Sequence, residues 1–117
     1  MYSIGIDIET TSRFDGRTRK SVFLNRLYTF KELCYCFEGE HASEHLAGRF
    51  AAKESVKKAL ATFTKRDIGY KDIEIVNDKF GMPKVSLKIF LEGKFNISVS
   101  ISHTKDTAVA VAIATPK

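Results

Sequence analysis

Hydrophobic and polar positions change their period several times along the chain. From Tyr2 to Ile8 they alternate: Ile4, Ile6 and Ile8 share one face, and Ser3, Gly5, Asp7 and Glu9 share the other. That period of two predicts a strand. From Thr10 to Leu27 the chain turns basic, with Arg13, Arg17, Arg19, Lys20 and Arg26 interrupted by Phe14, Val22, Phe23 and Leu24. Gly16 weakens any helix there, so a short or broken one is expected. Thr29-Phe30-Lys31-Glu32 has the spacing of a capping box and predicts a helix through about Phe37. A loop follows over Gly39 to Ala42. The strongest helical pattern runs from Ser43 or Glu44 to about Ala61, where Leu46, Phe50, Ala51, Val56 and Leu60 form an apolar stripe and Ala47, Ala52 and Ala59 favour the helix.

Beyond a loop from Thr62 to Gly69, the period returns to two. Ile73-Glu74-Ile75-Val76 predicts a strand. Asn77 to Pro83 predicts a turn in which Gly81 can take positive φ. Val85, Leu87 and Ile89 alternate on a return strand, and Ile97 to Ser102 and Thr107 to Ala114 are two further strands separated by His103-Thr104-Lys105-Asp106. There is no repeat, linker or low-complexity tract. The order β-α-α-β-β-β-β predicts one α+β domain over residues 1–117, an antiparallel sheet packed on one long helix.

Composition supports a packed domain: 44% of the 117 residues are hydrophobic and 28% charged, which argues against disorder. Lys and Arg number 19 against 14 Asp and Glu, a net charge of +5 that suits a negatively charged partner without naming it. Cys34 and Cys36 sit too close for a disulfide in regular structure, and no second Cys pair or suitably spaced His completes a zinc site. The expected chain is therefore a reduced cytoplasmic protein. Residues 1–10 carry Asp7 and Glu9 and no basic segment, so no secretory signal is expected. The longest apolar run, Ala108 to Ala114, is too short to span a bilayer, so no membrane partner is expected.

Three groups of residues could carry chemistry. Asp7 and Glu9, two apart on a strand, leave one face of the sheet together. They are either the polar face of an edge strand or, with a cation joining their charges, ligands of the oxygen-only kind that Mg²⁺ takes. On the long helix, Glu54 and Lys58 are one turn apart, either a surface ion pair or a carboxylate and ammonium serving metal and phosphate together. Ser102, His103 and Thr104 end a strand, where hydroxyls and an imidazole suit phosphate. Ser102 and His103 point to opposite faces, and no G-x-S-x-G elbow is present, which argues against a serine hydrolase. No Gly-rich phosphate loop of the mononucleotide type occurs. The basic segment from Arg13 to Arg26 is either a solvated face or a docking surface for an acidic protein or a nucleic acid.

Together these segments resemble the holo-acyl-carrier-protein synthase family, the small stand-alone 4′-phosphopantetheinyl transferases. The resemblance is carried by Gly5-Ile6-Asp7-Ile8-Glu9, Arg13, Arg26-Leu27-Tyr28-Thr29 with Glu32-Leu33, Leu46-Ala47-Gly48-Arg49-Phe50-Ala51-Ala52-Lys53-Glu54, Asn77-Asp78 with Gly81 and Pro83, and Ser100-Ile101-Ser102-His103-Thr104-Lys105-Asp106. It implies an Mg²⁺-dependent enzyme that moves 4′-phosphopantetheine from coenzyme A to a serine of apo-acyl carrier protein, in fatty-acid synthesis, and leaves adenosine 3′,5′-bisphosphate. It also implies a homotrimer with coenzyme A in clefts between subunits. By position, Asp7, Glu54 and Lys58 would be catalytic, with Asp7 and Glu54 holding the metal. Lys58, Ser102, His103 and Thr104 would bind coenzyme A, the last three from the adjacent subunit. Arg13, Arg17 and Arg26 would dock the acidic carrier.

The chain departs from the family at three places. Ala61-Thr62-Phe63 stands where Gly-Thr-Gly is common, and a loop without those glycines approaches a phosphate by its backbone less freely. Glu9 lies two residues after Asp7 rather than three, as in the two-lobed transferases, which makes it a candidate third metal ligand. Leu87 to Phe95 is short beside relatives that place a helix there. The alternatives are the same chemistry on a carrier from another pathway, a non-catalytic coenzyme A-binding protein, and a non-catalytic basic nucleic-acid-binding module. No nucleic-acid-binding motif supports the last, and the expectation is no nucleic-acid partner.

Overall fold

The computed structural model describes residues 1–117. Strands β1 (Ser3–Thr10), β4 (Phe95–His103) and β5 (Thr107–Pro116) form an antiparallel sheet in the order β1-β5-β4. Strands β2 (Ile73–Asn77) and β3 (Pro83–Leu87) form a separate hairpin. Three helices lie between: α1 (Val22–Leu27), α2 (Phe30–Cys36) and α3 (Ala42–Leu60). The fold is α+β, with α3 lying on the three-stranded sheet.

Strand register sorts the sheet into two unlike faces. Ala110 of β5 stands opposite Asp7 and Ile101, and Val111 opposite Ile6 and Ser100. The face toward α3 therefore carries Gly5, Asp7 and Glu9 with Ala108, Ala110, Ala112 and Ala114, all four alanines being buried. The outer face carries Ile4, Ile6 and Ile8 beside Val109, Val111 and Ile113. Asp7 and Glu9 are thus turned inward against the helix, and the isoleucines of β1 are the exposed side.

Small residues bring α3 close to β1. A Cβ on Gly5 would lie 1.9 Å from the carbonyl oxygen of Ser55 and 2.8 Å from the amide nitrogen of Ala59. Only glycine fits there, because the helix backbone itself occupies the space. The alanines of β5 extend the same shallow bed.

On its other side α3 meets the 3-10 turn at Thr11–Phe14, α2 and β2, so its burial is not a stripe. From Leu46 to Val56 every residue except Glu54 is buried, including Arg49, Lys53 and Ser55. Lys53 and Glu32 form an ion pair at 2.7 Å with both side chains fully buried. The Lys53 ammonium also donates to the carbonyls of Tyr70 and Ile73. Glu32 accepts from Thr29 N–H at 2.8 Å, closing the capping box of α2, and from Ile75 N–H at 2.7 Å. Burial pulls the Lys53 pKa down, and the Glu32 charge opposes that pull. One buried pair therefore fastens α2, α3, the start of β2 and the turn holding Tyr70.

The five strands do not make the single sheet expected. After β3 the chain turns through a 3-10 helix at Ile89–Leu91, with Ile89 at φ 60° and Gly93 at φ 72°. Ile89 therefore ends the return strand instead of extending it, and β3 does not pair with β4. Gly81 takes the positive φ its turn requires, 81°. No helix is long and apolar enough to cross a membrane.

Two stability measurements follow. Lys53→Met leaves the Glu32 carboxylate buried without its cation, and chemical denaturation should show a loss of about 3–5 kcal/mol; a loss under about 1 kcal/mol would show that the pair does not hold these elements together. Gly5→Ala should lower stability by about 3 kcal/mol, the upper end for overpacking, because the clash is with backbone; an unchanged melting temperature would refute the close approach.

Candidate active site

The inward face of β1 ends in two adjoining carboxylates. Asp7 Oδ1 accepts from Lys58 Nζ at 3.3 Å, and the same ammonium donates to the Ile6 carbonyl at 2.9 Å. Asp7 Oδ2 is buried and has no hydrogen-bond partner. Glu9 Oε1 accepts from Arg13 at 3.0 Å. Burial first, then the hydrogen bond and charge of Asp7, push the Glu9 pKa up to about 7, with Arg13 pulling the other way. Lys58 follows Glu54 by one helical turn, so α3 presents both toward this end of β1. Tyr70 covers Glu54: burial and then the Glu54 carboxylate push the phenol up to about 12. The Tyr70 ring lies 5.2 Å from the Phe50 ring and 4.1 Å from Lys57 Nζ.

Asp7, Glu9 and Glu54 do not close on one point in this arrangement. Lys58 stands on Asp7, Arg13 on Glu9 and Tyr70 near Glu54. The donor set nonetheless fits a hard divalent cation. Two neighbouring carboxylates, one with an orphaned buried oxygen and one pushed toward its neutral form, are what a bound cation would relieve.

A second polar centre lies where α3 begins and β4 ends. Glu44, His45, Arg49, Asn77, Gly81 and His103 are among the residues lining a cavity of about 150 Å³. Arg49 is 5% exposed, its guanidinium lies 4.2 Å from the Tyr35 ring centre, and it donates to Asn77 Oδ1 at 2.6 Å. Its Nε is buried with no partner. Arg49 thus brings a guanidinium to the cavity wall, a group suited to an anion. The two centres are apart: His103 pairs with Ala108 and Ala108 with Glu9, so His103 lies two strands, about 10 Å, across the sheet.

The other expected residues divide. His103 lines the anion cavity, whereas Ser102 is on the outer face of the sheet. Thr104 Oγ1 is spent on the turn, accepting from Asp106 N–H at 3.3 Å and Thr107 N–H at 3.2 Å. Arg13 is drawn into the carboxylate cluster and lies 5.0 Å from the Phe50 ring centre. Arg17, at 4.4 Å from the Phe23 ring centre, and Arg26 remain exposed. In the Ala61-Thr62-Phe63 loop, Thr62 bonds Ser3 at 2.8 Å and Phe63 packs on Phe95, so side chains anchor what glycines would leave free. Lys57, Thr64, Lys65 and Arg66 are among the residues lining an open pocket of about 370 Å³ beside it.

Tyr70, Arg49 and Asn77 were not singled out by sequence reasoning. Arg49 and Asn77 lay within the motifs quoted above, where they carried no role; Tyr70 had no local signal. Glu44 and His45 had none either, since only the fold brings them to His103.

A family model described as the 4′-phosphopantetheinyl transferase superfamily matches residues 3–114. A holo-(acyl-carrier-protein) synthase of Caldicellulosiruptor bescii is 45% identical over 97% of this chain and 98% of its own. Among solved structures, a holo-(acyl-carrier-protein) synthase of Bacillus anthracis in complex with coenzyme A (3′,5′-ADP) is similar with a TM-score of 0.78 and 34% identity, covering 96% of this chain and 94% of that one. The Helicobacter pylori holo-(acyl-carrier-protein) synthase in complex with coenzyme A gives a TM-score of 0.80 at 30% identity, over 96% and 99%. With the match extending from β1 through the central strand β5, the chain belongs to the 4′-phosphopantetheinyl transferase superfamily.

Proposed function

We propose that this chain transfers 4′-phosphopantetheine from coenzyme A to a serine of apo-acyl carrier protein, releasing adenosine 3′,5′-bisphosphate, in cytoplasmic fatty-acid synthesis. The observation that carries the chemistry is Asp7, with one oxygen on Lys58 and the other buried and unpartnered beside Glu9. The chain needs no nucleophile, because the carrier brings it. The serine oxygen forms a bond to the phosphorus next to pantetheine, and the bond from that phosphorus to the bridging pyrophosphate oxygen breaks. Charge develops on that leaving oxygen, and the Lys58 ammonium is placed to meet it. Glu54 takes the serine proton. Asp7 and Glu54, with Glu9 as a third ligand, would hold Mg²⁺, which supplies charge neutralisation at the pyrophosphate. The Arg49 and His103 cavity receives the nucleotide phosphates. Arg17 and Arg26, beside Val22 at 67% exposure, dock the acidic carrier.

The active form is a homotrimer. Ile4, Ile6 and Ile8 are 58–67% exposed and continue into Val111 and Ile113, an apolar sheet face larger than isolated exposed residues make. Covering it with a second copy removes it from water. It also lets a neighbour's nucleotide cavity serve the Asp7 and Glu54 centre of this chain, which explains why the two centres are separate.

Intact-mass spectrometry of apo-acyl carrier protein incubated with this chain, coenzyme A and Mg²⁺ should show a gain of one phosphopantetheinyl group that a chelator abolishes. Glu54→Gln should lower turnover by about 100-fold or more while the carrier still binds; an unchanged rate would remove Glu54 from catalysis. No mass gain with several carriers would overturn the function. For the assembly, Ile6→Lys should sediment as a smaller species than the wild-type trimer, and a wild-type monomer would refute the trimer.

A further inference from the structure

The three histidines of the chain are far apart in sequence or on different turns, yet one carboxylate gathers two of them and the third stands beside. Glu44 Oε1 is 3.1 Å from His103 Nδ1, and Glu44 Oε2 is 3.0 Å from His41 Nδ1. The His45 ring lies 6.3 Å from the His103 ring at 87° and 4.9 Å from the Tyr35 ring. Glu44 is the third residue of α3, and its side chain is 20% exposed. We propose that Glu44 is a positioning residue that fixes His103 with its Nδ1–H on the carboxylate and its Nε2 turned to the phosphate in the nucleotide cavity. This rests on the coenzyme A reading above.

The argument is one of hydrogen-bond supply. An ionised carboxylate only accepts, so His103 Nδ1 must carry a proton to bond it. That fixes which nitrogen is left over, and no protein group takes Nε2. Both Glu44 and His103 line the cavity that Arg49 enters, so the free nitrogen belongs to the anion's surroundings. With an anion at Nε2 and a carboxylate at Nδ1, the ring donates from both nitrogens in the complex. A carboxylate at an anion site would ordinarily repel the ligand. Here Oε1 is held by the His103 imidazole, which turns the charge into support for the ring. The charged and titratable groups around His103 are Glu44, His45 and Arg49 from α3 and Tyr35 from α2, with Lys105 and Asp106 on its own turn.

His41, 69% exposed at the start of α3, faces the other oxygen and does not line the cavity. Its loss removes the contact on Oε2 and leaves the Glu44–His103 bond in place, so it separates a role at His103 from a role in starting the helix.

Nitrogen-15 correlation spectra of the histidine rings test this directly. The free wild-type chain should show the Nδ1–H form at His103, and adenosine 3′,5′-bisphosphate should convert it to the doubly protonated pattern. Glu44→Gln, which keeps an acceptor but removes the charge, should abolish the doubly protonated signature. It should raise KM for coenzyme A about tenfold with kcat within about twofold. Dissociation constants for coenzyme A should show Glu44→Gln adding nothing once His103→Ala is present, and His41→Ala should leave the wild-type value unchanged. An Nε2–H form of His103 in the free chain, an unmoved KM in Glu44→Gln, or effects of the two substitutions that simply multiply would overturn the proposal. Coenzyme A bound with the expected ring signature but no transfer to any carrier would overturn the transferase reading alone.

Discussion

The separation between β1 and α3 is set by the absence of one methyl group. Gly5 lets the strand backbone lie against the carbonyl of Ser55, and the alanines of β5 continue that shallow bed across the sheet. The carboxylate centre depends on this distance. Lys58 reaches both the Ile6 carbonyl and the Asp7 carboxylate only because the helix lies so low, and Glu54 is presented by the turn before it. A helix held off by even a methyl-sized layer would carry Lys58 away from a bond that is already 3.3 Å long. On the opposite side, the buried Glu32 and Lys53 pair supplies the counter-fastening. It holds the Tyr70 carbonyl, and through it the ring that covers Glu54.

Much of this could be read from the residues. The capping box at Thr29 and Glu32, the long helix, the turn at Gly81 and the terminal strands all follow from local period and turn chemistry, because local backbone preference decides them. The facing of β1 did not follow. Alternation assigns two faces but not which is buried, and here Gly5, not the isoleucines, meets the helix because close packing outweighs hydrophobicity at that contact. The burial of Lys53 was equally hidden: its partners lie on α2 and on the chain after Gly69, far away in sequence. The division of the strands into two sheets turns on Ile89 at positive φ, a conformation for which an isoleucine gives no signal.

The site shows the same division. Asp7, Glu9, Glu54 and Lys58 could be paired from strand and helix periods alone, since each pair lies on one element. Their relation across elements rests on Gly5. Ser102, His103 and Thr104 are consecutive and look like one unit, but strand alternation sends Ser102 to the outer face, and a tight turn uses Thr104. What joins His103 is instead Arg49 and Glu44, brought to it by the length of α3. Fold geometry thus makes two polar centres, a carboxylate cluster with Lys58 and Arg13 at the end of β1 and a cavity holding Arg49, Glu44 and His103 at the start of α3. A pyrophosphate substrate with a nucleotide on one side needs both. In the proposed assembly each centre faces the complementary one on a neighbouring copy.

Mixed assemblies test that division of labour most directly. Chains carrying Asp7→Ala and chains carrying His103→Ala, each strongly impaired alone, can be given different affinity tags, co-expressed and purified through both. If the two centres are joined across subunits, some interfaces in the mixed trimers pair an intact carboxylate centre with an intact nucleotide cavity, and activity returns. Verified mixed trimers that stay as inactive as the single variants would contradict the account, and would require one chain to bring its own two centres to the same substrate.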